Sequence, residues 1–407
     1  MSPQRPISVN NFKMGKPVVI TRDGKTTLPF DFTRYAGESG NVDAICVRME
    51  DGFLILPRVP DVKKLYIEPT TVCNFACTTC IRNSWEDSLA HMDWPVFERI
   101  LDSLSRLPAL DCVHFGGFGE PFSHPRLLDM LELVKLRGYR VEVITNGSLL
   151  NTDVINKLID IKLDMLFVSL DGPDEEGYCQ IRQGADFHGV MGNIRLLQEL
   201  KRQRGVGFPE LGIEFVATKD NYHKLPQLGE LVLKLKARRM IVTNVLPYNE
   251  AMKEQILYDM EDTEIPFDYQ SLLLMIQAQL PYMKLRTDRY CKFIEDKSMV
   301  INHRGLVSPC YALMHSYRCF IYGRAKEIRP FYPFYLGDVK EKCLDEIWTD
   351  PAYINFRVAV KNFRFPSCTD CKFLEGCTMA DDNEMDCWGN SPSCAECLWS
   401  RQIVACP

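Results

Sequence analysis

Three cysteines, in the run Cys73-Asn74-Phe75-Ala76-Cys77-Thr78-Thr79-Cys80, offer three thiolates at Cys-x3-Cys-x2-Cys spacing. A structural zinc site takes four protein ligands, whereas a four-iron cubane held by three cysteines leaves one iron open to a substrate or cofactor. A zinc loop with a distant fourth ligand is the plainer alternative. A second concentration follows later: eleven of the seventeen cysteines lie between Cys291 and Cys406, and only Cys46, Cys112 and Cys179 fall outside both clusters. The opening run MSPQRPISVNNFKMGK has no apolar signal segment, and no stretch of about 18 uncharged apolar residues exists to span a membrane. The chain therefore reads as cytoplasmic, where a reducing environment favours metal ligation by clustered thiols over disulfides.

The elements that must position these thiols are legible between residues 64 and 247. Short β-rich runs (Leu65–Ile67, Cys112–Phe115, Val141–Thr145, Met165–Leu170, Ile213–Ala217 and Met240–Val245) alternate with helical periodicity, as in Phe97, Ile100, Leu101 and Leu104, or Val190, Ile194 and Leu197. The expected fold is α/β: six strand–helix units, two short of a closed barrel, hence a partial, open (β/α)6 barrel of the TIM type. Function in such folds gathers at the carboxyl ends of the strands. Cys73 follows the first strand, Gly116–Glu120 the second, and Asn146 and Gly147 the third.

The flanks read differently. Residues 1–62 suggest a small β-rich appendage, with apolar stretches at Pro17–Thr21, Ile45–Val47 and Phe53–Leu56 and turns at Asp23-Gly24 and Asp51-Gly52. The barrel is assigned to 63–247. Residues 248–290 read as a helical connector with Leu272, Leu273, Ile276 and Leu280 on one face, and 291–407 as a cysteine-rich domain. With 48 basic against 54 acidic residues and a net charge of -6, no broad nucleic-acid-binding surface is expected.

The first cysteine spacing, its place after strand one and the six-unit barrel together resemble the radical S-adenosylmethionine (SAM) superfamily. The resemblance implies a four-iron cluster on Cys73, Cys77 and Cys80 whose open iron chelates the amino and carboxylate groups of SAM. Reductive cleavage then gives methionine and a 5′-deoxyadenosyl radical that abstracts hydrogen from the substrate. The segment His114-Phe115-Gly116-Gly117-Phe118-Gly119-Glu120-Pro121 looks like the family's Gly-Gly-Glu-Pro loop with one residue inserted, Glu120 accepting the methionyl ammonium. By the same resemblance Asn146, Ser169, Asp171 and Arg182 face ribose and carboxylate, and Leu246 flanks adenine. Thr79 stands where the family usually has an aromatic residue.

Beyond the barrel, Cys291, Gly305, Cys310, Cys368, Cys371 and Cys377 match in order the superfamily's SPASM extension, which carries two auxiliary four-iron clusters. The pattern breaks at Asp381, where a cysteine is expected; the next thiol is Cys387. The resemblance assigns Cys291, Cys310 and Cys387 to the nearer cluster and Cys368, Cys371 and Cys377 to the farther, with Cys394, Cys397 and Cys406 competing for the remaining positions. A zinc-ribbon-like domain is the alternative for this region. Cys319 and Cys343 read as buried small hydrophobes.

The runs from Cys80 to Trp85 and from Asp386 to Trp399, ending in Cys406-Pro407, resemble maturases of tungsten-dependent aldehyde oxidoreductases. The implied partners are a client oxidoreductase and a low-potential electron donor of ferredoxin or flavodoxin type. Modification of a ribosomally made precursor peptide is the second reading, and a non-catalytic electron carrier or zinc-stabilised scaffold the third. Trp85, Trp388 and Trp399 either cover clusters or fill core. Cys179 reads as packed rather than hydrogen-donating, and the run Phe331-Tyr332-Pro333-Phe334-Tyr335 as filling an interdomain seam rather than lining a channel.

Overall fold

A computed structural model describes residues 44–49, 52–85, 87–258, 277–281, 289–320 and 328–405. The chain divides into two compact units, Met1–Val59 and Pro60–Pro407. In the first, β1 (Ala44–Met49) and β2 (Gly52–Pro57) form an antiparallel hairpin, pairing Ala44 with Pro57 and Met49 with Gly52. The stretches at 17–21 and 23–24 lie outside the described residues.

The second unit is built on β3 (Lys64–Ile67), β4 (Cys112–Phe115), β5 (Arg140–Thr145), β6 (Met165–Ser169), β7 (Glu210–Ala217) and β8 (Arg239–Asn244), all parallel and adjacent in chain order. β4 and β6 are buried at every position, as expected of parallel strands covered on both faces. Intervening helices present one apolar stripe: α1 (Trp94–Ser103) buries Phe97, Ile100 and Leu101, and α2 (Phe187–Arg204) buries Val190, Ile194 and Leu197. The latter starts at Asp186, whose carboxylate accepts the Gly189 N–H, and stops at Gly205 in the left-handed region (φ 64°). These strands and helices share one apolar core.

The sheet continues past the six expected strands. β9 (Gln277–Gln279) adds parallel to β8, so the 248–290 stretch contributes a strand where the sequence reads as helix. A short helix at Glu250–Glu254 is present. Leu272, Leu273 and Ile276 lie outside the described residues, while Leu280 packs on the main core. On the other side β10 (Ser298–Ile301) pairs parallel with β3, followed by β11 (Leu306–Ser308) and β14 (Gly337–Asp338), both antiparallel. A separate hairpin joins β12 (Tyr317–Phe320) and β13 (Ile328–Phe331). Residue 291 is thus no break in the sheet: β10 satisfies the open edge of β3 with backbone hydrogen bonds that a free edge would leave to solvent.

Candidate active site

The loop after β3 carries the three cysteines, and its backbone is tied to the segment before α2. The Ala76 N–H donates to Gln183 C=O (3.1 Å) and the Thr78 N–H to Ile181 C=O (2.8 Å). Arg82 straps the loop from below, donating to Thr71 C=O (2.9 Å), Phe75 C=O (3.2 Å) and Cys80 Sγ (3.5 Å). Cys73, Cys77 and Cys80 carry free thiols. Burial pushes the Cys73 thiol up and Cys77 up to about 11, Arg182 partly offsetting the latter. Three cysteine ligands fit a four-iron cubane that keeps one iron open, whereas a structural zinc takes four.

Opposite lies the glycine loop. A Cβ on Gly119 would stand 2.2 Å from Thr70 C=O, and one on Gly117 (φ +126°) 2.6 Å from Glu68 Cγ, so no larger residue lets this loop lie against the strand leading to Cys73. Glu120 is buried. Its carboxylate accepts the Thr145 hydroxyl (2.7 Å), the Asn146 N–H (2.7 Å) and the Phe122 N–H (3.1 Å), while burial raises its pKa. Asn146 in turn donates to Asn74 Oδ1 (2.9 Å), joining the third-strand loop to the cysteine loop.

Between these walls is a cavity of about 250 Å³ lined by Cys73, Cys77, Cys80, Gly117, Gly119, Glu120, Asn146, Ser169, Arg182 and Leu246 among others. Gly116, Pro121 and Asp171 stand behind this lining. Gly116 donates its N–H to Ile67 C=O, and Pro121 opens the turn after Glu120. Asp171 lies 2.8 Å from Arg182 Nε and accepts the Val216 N–H (2.8 Å), so it positions the guanidinium.

Glu214, Val404 and Ala405 line the cavity as well, though the sequence does not single them out. Glu214 on β7 faces the cavity beside Ser169; burial and the Asp171 charge push its carboxyl up to about 7, with Arg182 opposing. Its signal is a charge inside a strand whose neighbours Ile213 and Phe215 are buried. Trp399, Val404 and Ala405 close another wall, because the 403–405 segment hydrogen-bonds to the end of β8: Asn244 Nδ2 donates to Ile403 C=O (2.9 Å) and the Ala405 N–H to Thr243 Oγ1 (2.9 Å). Thr79 also lines the cavity, with Val216, Val245 and Leu246 supplying apolar surface.

The later cysteines fall into two groups, and their membership differs from the family assignment. Cys291, Cys310, Cys394 and Cys397 lie close enough to act on one another's ionisation, and burial raises all four thiols, Cys291 to about 12. Cys368, Cys371, Cys377 and Cys387 form the other group. Cys387 therefore joins the farther set. The cause is local: the Asp386 carboxylate accepts the Trp388 and Asn390 N–H groups, making a tight turn that presents Cys387 to Cys371 and Cys377. Asp381 is exposed. Cys406 lies outside the described residues. The nearer group adjoins the cavity, since Tyr311 follows Cys310 and Trp399 stands two residues after Cys397.

Of the remaining expectations, Cys319 is buried as expected, whereas Cys343 is half-buried and precedes the helix Leu344–Trp348, its N–H donating to Glu346 Oε2 (2.9 Å). Cys179 packs on the core and donates to Ala185 C=O (3.6 Å). Phe331 stacks on Tyr317 (4.7 Å), and Tyr335 donates to Met314 C=O (3.0 Å). Trp85 packs on His315, Trp399 lines the cavity and Trp388 is exposed.

Three thiols beside a cavity at the mouth of a half-open barrel would hold an iron–sulfur cluster with one iron open, and an iron–sulfur enzyme is the class that fold and cavity define. The profile of the Radical SAM superfamily matches residues 67–219, and that of the SPASM iron–sulfur cluster-binding domain residues 291–372. The chain is 39% identical over 351 residues to a tungsten-containing aldehyde ferredoxin oxidoreductase cofactor-modifying protein of Pyrococcus furiosus, covering 85% of this chain and 97% of that one. It is 30% identical over 190 residues to a PqqA peptide cyclase of Rhodopseudomonas palustris, covering 46% and 48%. Among solved structures, Streptococcus suis SuiB bound to S-adenosylmethionine superposes with a TM-score of 0.53 at 18% identity, over 80% of this chain and 73% of that one. The chain belongs to the radical SAM superfamily and carries its SPASM extension. It is an enzyme whose barrel binds SAM and a four-iron cluster and whose C-terminal region binds auxiliary iron–sulfur clusters.

Proposed function

We propose that this enzyme modifies the tungsten cofactor of a client oxidoreductase during its maturation. The supporting observation is the near-full-length likeness to the Pyrococcus furiosus cofactor-modifying protein. The likeness to peptide cyclases is weaker, at 30% identity over 46% of this chain or 24% over 74%.

When bound, SAM on the reduced cluster supplies a 5′-deoxyadenosyl radical that removes a hydrogen atom from substrate. The chain's own residues place it. Glu120 would accept the methionyl ammonium, Arg182 held by Asp171 would face the carboxylate, Asn146 and Ser169 the ribose, and Leu246 would flank the adenine. Trp399, Tyr311, Val404 and Ala405 line the same cavity and would limit water there. Cys387 is exposed, which leaves the farther cluster accessible to a ferredoxin- or flavodoxin-type donor in the cytoplasm.

The test supplies cluster-loaded enzyme, SAM and a reductant with either the tungsten-pterin-bearing oxidoreductase or a panel of short precursor peptides. Formation of 5′-deoxyadenosine should accelerate with the oxidoreductase, accompanied by a mass change on its cofactor. Acceleration by a peptide alone overturns this reading in favour of peptide modification.

Glu120→Gln should weaken SAM binding about 10–150-fold, equivalent to roughly 1.5–3 kcal/mol for one charge-assisted hydrogen bond, with iron content unchanged. Equilibrium dialysis with labelled SAM measures it; wild-type affinity in the variant would move the ammonium pocket elsewhere.

A further inference from the structure

Among the described residues, one cluster of metal-ligating side chains is assembled outside the cysteine sites. Glu68, just beyond β3, places Oε2 2.7 Å from His315 Nε2 and 3.4 Å from His303 Nδ1. All three ligand atoms lie within 4.8 Å of one another, and the residues are 1%, 8% and 2% exposed for Glu68, His303 and His315. Bonds of about 2.0–2.2 Å to one ion put neighbouring ligand atoms roughly 3.0–3.5 Å apart; the Glu68–His303 pair already has that spacing, and the closer Glu68–His315 pair would open by a few tenths of an ångström.

The cluster is held in place before any ion arrives. The Glu68 N–H donates to Ile301 C=O (2.9 Å), and its second oxygen, Oε1, accepts the Phe118 N–H (3.1 Å). His303 sits in the β10–β11 turn, where Asn302 Oδ1 accepts the Arg304 and Leu306 N–H groups. Trp85 packs on the His315 ring at 4.3 Å, and the two imidazoles are nearly parallel, 17° apart at 5.9 Å. Oε2, the oxygen directed at both imidazoles, is the one the backbone does not use.

We infer that Glu68, His303 and His315 bind one divalent transition-metal ion, separate from the iron–sulfur clusters. Two imidazoles and a carboxylate suit zinc, iron(II) or manganese, not the soft thiolate chemistry of the cysteine sites. Because Glu68 Cγ backs onto Gly117, the ion would stand directly behind the wall of the SAM cavity.

The test uses full-length protein with its clusters loaded, stripped of loose metal by a chelator and then given one equivalent of zinc. One zinc per chain should survive gel filtration, and its X-ray absorption edge should show nitrogen and oxygen scatterers at about 2.0–2.1 Å. His303→Ala with His315→Ala should lose that zinc while keeping wild-type iron. The near-isosteric Glu68→Gln, which spares the fold, should weaken zinc binding at least about tenfold in chelator competition, the loss of one anionic ligand. Failure of wild-type protein to retain zinc would make the trio an ion pair only. A sulfur shell at about 2.3 Å would place the zinc in cysteine sites. Either result overturns the inference, as does zinc retained in the double variant.

Discussion

Replacing Cys73, Cys77 and Cys80 together by alanine is expected to abolish 5′-deoxyadenosine formation while iron falls only from about twelve to about eight atoms per chain, the share of one four-iron cluster among three. The loop should keep its path, because its backbone bonds to Ile181 and Gln183 and the Arg82 bonds to Thr71 and Phe75 do not involve the thiols. The auxiliary thiols come from the 291–397 region and share no ligand with this loop. Iron analysis and chromatography of the reaction after chemical reduction measure both quantities. Retained SAM cleavage would show that the open iron lies elsewhere, and loss of all iron would show that the three sites are not independent.

Double substitutions should expose the grouping of the auxiliary cysteines. Cys310→Ala and Cys394→Ala each remove a ligand from the nearer group, so together they should cost no more than the same four irons. Cys310→Ala with Cys387→Ala strikes both groups and should cost about eight irons, or leave two three-iron signals in the electron paramagnetic resonance spectrum. Asp381→Ala should be nearly silent, the side chain being exposed. If Cys387 instead ligates with Cys291 and Cys310, the Cys310/Cys387 pair becomes the one that costs four irons. Iron per chain after gel filtration separates the two arrangements.

The barrel was readable because each strand, from Lys64–Ile67 to Arg239–Asn244, is a short apolar run between helices of clear period, and a parallel sheet buries such runs on both faces. The first cluster was readable because its ligands are local in sequence. What resisted reading depends on distant contacts. Cys387 changed groups through the turn at Asp386, and Glu68 meets His303 and His315 from 235 and 247 positions away. Neither pairing leaves a local pattern. β9 and β10 are three and four residues long, too short for a periodic signal, and only their pairing with β8 and β3 defines them. Glu214 left a trace, a carboxylate within a buried strand, but strand period alone does not say which face opens on a cavity.

The parallel pairing of β10 with β3 also bears on how the chain is made. β3 is synthesised early, yet its partner at Ser298–Ile301 follows about 230 residues later, which at about 5–20 residues per second is a delay of roughly 12–46 s. Until then one edge of the nascent barrel exposes unpaired backbone, and Glu68 waits without its histidines. Contacts so remote in sequence slow folding and lengthen exposure to aggregation. A ribosome-bound chain released before residue 298 should therefore engage holdase chaperones, whereas one extended past Gly337–Asp338 should have both flanks of its sheet in place.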